Sequence, residues 1–139
     1  MSSDKKLKDF AIANKPLAVS FVETQTVKEG VECDVYTFTD DDSEDLAIVR
    51  VTKGFKTPLQ RVLSGTKTTE GYLQGEGTLT VHTAKGEEKS YDFKIGDDAR
   101  EVEVEVGQTM QWHANGDTDL TFYEICDPPY QDGRFENLG

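Results

Sequence analysis

No stretch of this 139-residue chain is apolar for long enough to cross a membrane as a helix. The opening, M-S-S-D-K-K-L-K-D-F, carries charges where a signal peptide needs its apolar region, so a cytoplasmic protein is the expectation. Positive charge is also short. Fifteen basic residues stand against 27 acidic ones, a formal net charge of -12 that repels a phosphate backbone, so nucleic acid and anionic membrane are not expected partners. Cysteine is limited to Cys33 and Cys126, and nothing in their spacing asks for a bridge. Histidine is limited to His82 and His113, so a nucleophilic cysteine has few bases to draw on; both thiols read as inert, buried groups.

What the chain does have is alternation. Segments L-A-V-S-F-V-E-T, V-E-C-D-V-Y-T-F, L-A-I-V-R-V-T, Y-L-Q-G-E-G-T-L-T-V-H, S-Y-D-F-K-I, E-V-E-V-E-V and L-T-F-Y-E-I-C place β-branched or aromatic residues at nearly every second position. Turn signals K-E-G, S-G-T-K, A-K-G-E, G-D-D and N-G-D-T-D separate them, and the acidic run at 40–45 reads as an exposed loop. Short strands at this spacing predict an all-β, antiparallel barrel or sandwich. One helix-compatible stretch precedes them: Leu7, Phe10, Ala11 and Ala13 share a face, with Ser3 or Asp4 as cap and Pro16 as stop. One domain over 1–139 is expected, with residues 1–16 as an N-terminal arm or helix.

The glycines do not make a nucleotide site. Gly65-Thr66-Lys67-Thr68 has the letters of a phosphate loop in the wrong order, and Gly71, Gly75 and Gly77 miss the dinucleotide spacing. Q-G-E-G reads instead as a tight hairpin.

G-F-K-T-P-L-Q-R-V from Gly54, E-G-Y-L-Q-G-E-G-T-L-T-V from Glu70 and V-E-V-G-Q-T-M-Q-W-H-A-N-G from Val104 together resemble the two motifs of the cupin superfamily, over residues 45–130. The resemblance implies an antiparallel jelly-roll barrel, commonly paired as a homodimer; L-A-V-S-F-V is the natural edge strand for that pairing. It also implies a metal held by three histidines and a glutamate, and here the chain departs from the pattern. Counting from Gly54 puts Gln60 and Val62 at the histidine positions of the first motif. Counting back from Gly75 puts Thr68 at the glutamate position, and the second motif puts Met110 at the last histidine position. Val and Thr are not useful ligands, Gln is a weak one and Met suits soft ions, so neither metal nor any other cofactor is expected. A displaced site using Glu70, His82, His113 or Glu124 is the alternative.

Alternation from these positions turns Gln60, Val62, Glu70, Tyr72, Met110 and Trp112 inward. An interior of this kind suits a small, carbohydrate-like ligand, with Glu124 offering a second carboxylate. A carboxylate inside a barrel needs a partner, and Arg61 is one candidate for Glu70. Cupins that have lost their metal imply a sugar or small-acid isomerase, epimerase or lyase, with Glu70 as general acid or base, Tyr72 as proton partner and Trp112 as substrate platform. A non-catalytic binding or sensor module and a metalloenzyme with unusual ligands are the other readings.

Overall fold

The computed structural model describes residues 19–38, 45–63, 67–97, 100–127 and 135–138. The expected N-terminal helix and the acidic run at 40–44 lie outside them. Alternating segments become strands because each can bury one face and leave the other in water. In chain order these are β1 (Val19–Lys28), β2 (Val31–Phe38), β3 (Asp45–Val51), β4 (Gln60–Val62), β5 (Lys67–Gly75), β6 (Gly77–His82), β7 (Glu88–Phe93), β8 (Glu101–Glu105), β9 (Thr109–His113), β10 (Leu120–Asp127) and β11 (Phe135–Asn137). Every pairing is antiparallel. The strands form two sheets, in the orders β1-β2-β3-β10-β5-β8 and β11-β4-β9-β6-β7. The architecture is all-β, and no helix among the described residues is long and apolar enough to cross a membrane.

The Q-G-E-G segment is not a hairpin. β5 pairs with β10 and β8, whereas β6 pairs with β7 and β9, so the chain passes from one sheet to the other at Gly75–Gly77. Gly75 has φ +91°, and a Cβ there would run into the carbonyl oxygen of Asp119. Glycine thus serves a corner between sheets, where both the left-handed backbone and the close approach require it.

Between the sheets lies the main core, which includes Val62, Tyr72, Leu79, Phe93, Met110, Trp112 and Phe122. Four of its rings make one column: Tyr72 stacks on Phe93 with centroids 4.7 Å apart, Phe93 on Trp112 at 5.6 Å, and Trp112 on Phe122 at 4.4 Å. Tyr72 and Phe122 come from the six-stranded sheet and the other two rings from the five-stranded sheet, so the column ties the sheets together. A second cluster, Tyr36, Leu46, Ile48 and Tyr123, occupies the opposite face of the six-stranded sheet. Beside it, buried Asp34 accepts hydrogen bonds from Arg50 Nη1 at 2.6 Å and Nη2 at 3.2 Å and from Thr24 Oγ1 at 2.7 Å. That acid is fully provided for.

Candidate functional site

Register decides which side chains meet. Across the six-stranded sheet, Glu23 lies opposite Val35, Val35 opposite Ala47, Ala47 opposite Glu124, and Glu124 opposite Glu70. The adjacent row on the same face reads Gln25, Cys33, Val49, Phe122, Tyr72. At the β5 and β10 end these rows carry large or charged side chains. On β2 and β3 they carry Val, Ala and Cys. Small side chains on an inward face leave space, and a cavity of about 450 Å³ opens over them.

β1 contributes Glu23 and Gln25 to its lining, β2 and β3 contribute Cys33, Asp45, Ala47 and Val49, and β10 contributes Phe122, Glu124 and Cys126. Thr57, Pro58 and Gln60 close the side toward the second sheet. Their segment is fixed to β9, because Thr57 N donates to the Trp112 carbonyl at 2.9 Å and Trp112 N donates to Thr57 Oγ1 at 3.0 Å.

Of Gln60, Glu70, Tyr72, Met110 and Trp112, expected to border one cavity, only Gln60 lines this one. Val62 is completely buried in the core, and Met110 and Trp112 are buried there at 2% exposure. Gln60 and Met110 do meet, as a cross-strand pair between β4 and β9. The Tyr72 hydroxyl donates toward the backbone carbonyls of Gly75 at 2.7 Å and Lys94 at 2.9 Å, so it is committed to the barrel frame and not to Glu70. Arg61 pairs at the surface with Glu136, at 3.0 Å, and is not the partner of Glu70. Glu124 lines the cavity.

Glu70 is the unusual group. Its residue is 1% exposed; Oε1 accepts from Trp112 Nε1 at 2.8 Å, and Oε2 makes no hydrogen bond of regular geometry. Burial holds its carboxyl well above the usual carboxylate range, the charge of Glu124 and a close carboxyl–carboxyl approach add to the effect, and the Trp112 donor opposes it. Two carboxyls from opposed positions cannot both ionise cheaply, so the pair favours one shared proton, and the deeper burial of Glu70 raises its affinity for it. Glu124 in turn receives the thiol of Cys126, Sγ to Oε1 3.8 Å. The arrangement is a relay: Trp112 orients Glu70, Glu70 abuts Glu124, and Glu124 faces the cavity.

The cysteines are free and both belong to the lining. Burial first, then the charges of Glu124 and Asp34, pushes the Cys33 thiol up to about 12, so it is not a thiolate nucleophile at neutral pH. His82 ends β6, an inner strand of the five-stranded sheet, with Nε2 3.3 Å from Glu88 Oε1, and His113 is half-buried on β9. Neither lines the cavity.

A metal of the kind the motifs imply does not fit. Val62 and Thr68 are both completely buried and offer no suitable donor, and Met110 faces Gln60. Among the described residues, no three His, Cys, Asp or Glu side chains come together in a way that could hold an ion.

The cavity residues on β1–β3 escaped sequence reasoning. V-E-C-D-V and L-A-I-V-R-V were legible as strands, and the signal for a hollow was the small size of their alternate residues Val31, Cys33, Val35, Ala47 and Val49.

No protein-family model and no curated protein sequence matches this chain. Solved structures do match. Oxalate decarboxylase of Bacillus subtilis superposes with a TM-score of 0.67 at 22% identity, over 82% of this chain and 29% of that one. The 7S globulin of Momordica charantia gives 0.64 at 17%, over 84% and 34%. CapF gives 0.66 at 16%, over 86% and 34%. This chain therefore spans about a third of the length of each of these proteins. The two antiparallel sheets, their strand order and these superpositions agree: the chain has the cupin fold.

Proposed function

We propose that the hollow half of the barrel binds a small molecule and that the Glu70–Glu124 pair moves a proton on it without a metal, in an isomerase, epimerase or lyase reaction. The observation that carries this reading is a fully buried Glu70 directly opposite Glu124, a carboxyl that lines a cavity. Cavities of this size suit small organic ligands. Glu124 is the catalytic residue: it takes a proton from a carbon beside a carbonyl. It returns that proton to the neighbouring carbon in an isomerisation, or to the other face of a turned intermediate in an epimerisation. In a lyase reaction the C–H electron pair forms the double bond and expels a leaving group from the next carbon, and there is no net redox change in any of them. Glu70 is a positioning residue that holds one proton against Glu124 and so tunes its basicity. Tyr72 and Trp112 act through structure. Because the described lining offers carboxylates and no Lys, Arg or His, a neutral carbonyl compound such as a sugar suits it better than a small acid.

Deuterium exchange tests the reading. A panel of aldoses and ketoses incubated in D2O with chelator-treated protein should show exchange next to the carbonyl that Glu124→Gln abolishes and chelation leaves intact. A stoichiometric transition metal in the native protein, or exchange lost on chelation, would overturn metal independence. Binding without exchange would favour a non-catalytic module. That second reading has support in the commitment of Tyr72 to backbone carbonyls, which leaves no Tyr among the described lining residues.

The reading includes a homodimer. β1 is an edge strand that exposes Val22 at 52% and Val27 at 42%, and it forms one wall of the cavity. Sedimentation at micromolar concentration should show twice the 15.5 kDa chain mass; a monomer alone would refute pairing.

A further inference from the structure

Taking a proton from a carbon beside a carbonyl leaves an electron pair to accommodate. The C–H pair becomes a carbon–carbon double bond and the carbonyl pair moves onto oxygen. Negative charge grows there, and a hydrogen-bond donor aimed at that oxygen lowers the barrier. Among the described lining residues, side-chain N–H groups belong to Gln25 and Gln60. The Thr57 hydroxyl is engaged with the backbone of Trp112, donating to its carbonyl at 3.4 Å and accepting from its N at 3.0 Å. The Cys126 thiol donates toward Glu124, and Cys33 offers a weak S–H donor from the same sheet as Glu124.

Position separates the two amides. Gln25 is exposed on the edge strand β1, in the same sheet as Glu124. Gln60 is half-buried on β4, in the facing sheet, and shares its strand face with the completely buried Val62. Arg61, between them, turns outward to Glu136. Packed sheets stand about 10 Å apart, so a small molecule in the cavity lies between the Glu124 wall and the Gln60 wall. The backbone around Gln60 is held from both sides. Gln60 pairs with Met110 of β9 and with Asn137 of β11, the Thr57 carbonyl accepts from Gln111 Nε2 at 2.8 Å, and the Leu59 carbonyl accepts from Leu138 N at 2.7 Å. A donor on such a frame is in place before a substrate arrives. Gln60 has an interaction of its own within the protein; with two N–H donors and an acceptor oxygen, an amide keeps one contact and offers another.

We infer that Gln60 is a second catalytic residue of this site, its side-chain N–H donating to the carbonyl oxygen of the substrate while Glu124 takes the proton from the adjacent carbon. This rests on the reading of Glu124 as the proton-transfer group and adds the electrophile to it. The proton goes to the Glu124 carboxylate, the electron pair ends on the carbonyl oxygen, and the amide shares its hydrogen without giving it up. When Glu124 returns the proton, the pair goes back to carbon and the carbonyl reforms.

The test follows deuterium exchange into dihydroxyacetone, glyceraldehyde, glucose and fructose by proton NMR in D2O, with wild type, Glu124→Gln, Gln60→Leu and Gln60→Glu. Gln60→Leu removes the amide, and Gln60→Glu keeps its shape while replacing the N–H donors with oxygen; circular dichroism checks that each is folded. Both Gln60 variants should lower the saturated exchange rate about a hundredfold and leave the half-saturating concentration within about threefold, because the hydrogen bond strengthens as charge develops on oxygen. A second readout is the infrared carbonyl stretch of the fastest-exchanging of these sugars, carbon-13 labelled and bound to Glu124→Gln protein. Adding Gln60→Leu should raise its frequency. A saturated rate within about threefold of wild type in the Gln60 variants that fold, or a stretch that Gln60→Leu does not move, would overturn the role of Gln60 and leave proton transfer by Glu124 standing. A loss confined to the half-saturating concentration would do the same. Wild-type protein that accelerates exchange of none of the four sugars, or exchange that Glu124→Gln leaves intact, would overturn the reading of the site and the inference with it.

Discussion

The two halves of the barrel interior differ in what their inward-facing strand positions carry. On β5, β7, β9 and β10 those positions hold Tyr72, Phe93, Trp112 and Phe122, whose rings stack into a column and leave no room. On β2 and β3 they hold Val31, Cys33, Val35, Ala47 and Val49, and the same pleat encloses a cavity of about 450 Å³. The two acids treated so differently by the fold make the contrast sharper. Asp34, on the far face of the sheet, has Arg50 and Thr24 as partners, whereas Glu70 stands at the boundary of the filled and hollow halves with one donor, Trp112 Nε1, and a second acid beside it. One buried acid is matched by a guanidinium, and burial beside a second, cavity-lining carboxyl raises the pKa of the other.

The largest effect should come from breaking the filled half. Trp112→Ala removes the centre of the column and the donor to Glu70, and it should cost about 3–5 kcal/mol in urea unfolding. A loss below 1 kcal/mol would mean the column is not what joins the sheets. Enlarging alanines should then sharpen the contrast. Ala114 is completely buried in the main core, and Ala114→Leu should cost about 1–3 kcal/mol by overpacking. Ala47 borders the cavity, and Ala47→Leu should change stability by less than about 1 kcal/mol while closing the ligand site. Equal costs at both positions would deny that the halves differ.

The smallest effect is electrostatic and depends on pH. Glu70 has its folded pKa raised above the unfolded value of about 4.5, so the folded protein binds the extra proton between the two values. The stability tied to that proton is fully present below the unfolded value and is lost as pH rises through the folded one. Glu70→Gln removes this dependence, keeps an acceptor for Trp112 and offers an amide donor to Glu124. Relative to wild type, the variant should gain stability with rising pH from that lower limit, by at most about 1.4 kcal/mol per pH unit. A constant difference across that range would mean that Glu70 is not held neutral.

Alternation along the strands carried much of the fold. V-E-C-D-V-Y-T-F is β2 over its whole length, and E-V-E-V-E-V differs from β8 only at its last residue. The inward direction of Glu70, Tyr72 and Trp112 also followed from a period of two. Three things did not follow. Facing does not give volume: the small alternate residues of β2 and β3 leave a hollow only if nothing large stands across from them, and that is not local information. Pairing between distant strands is not written in either strand, so the row from Glu23 through Glu124 to Glu70 emerged only with the register. Finally, glycines in Q-G-E-G specify a sharp change of direction, and a hairpin and a corner between sheets need the same residues.

The carboxyl pair is the centre of this account, and it can be observed directly. Carbon-13 spectra of the side-chain carboxyls in glutamate-labelled protein, with Glu70→Gln and Glu124→Gln providing the assignments, follow each group through a pH titration. The account predicts that the Glu70 carboxyl carbon stays at its protonated shift well past the range where exposed glutamates ionise, and that Glu124→Gln brings its titration down toward that range. A Glu70 signal that titrates with the exposed glutamates, unaffected by the change at Glu124, would contradict it.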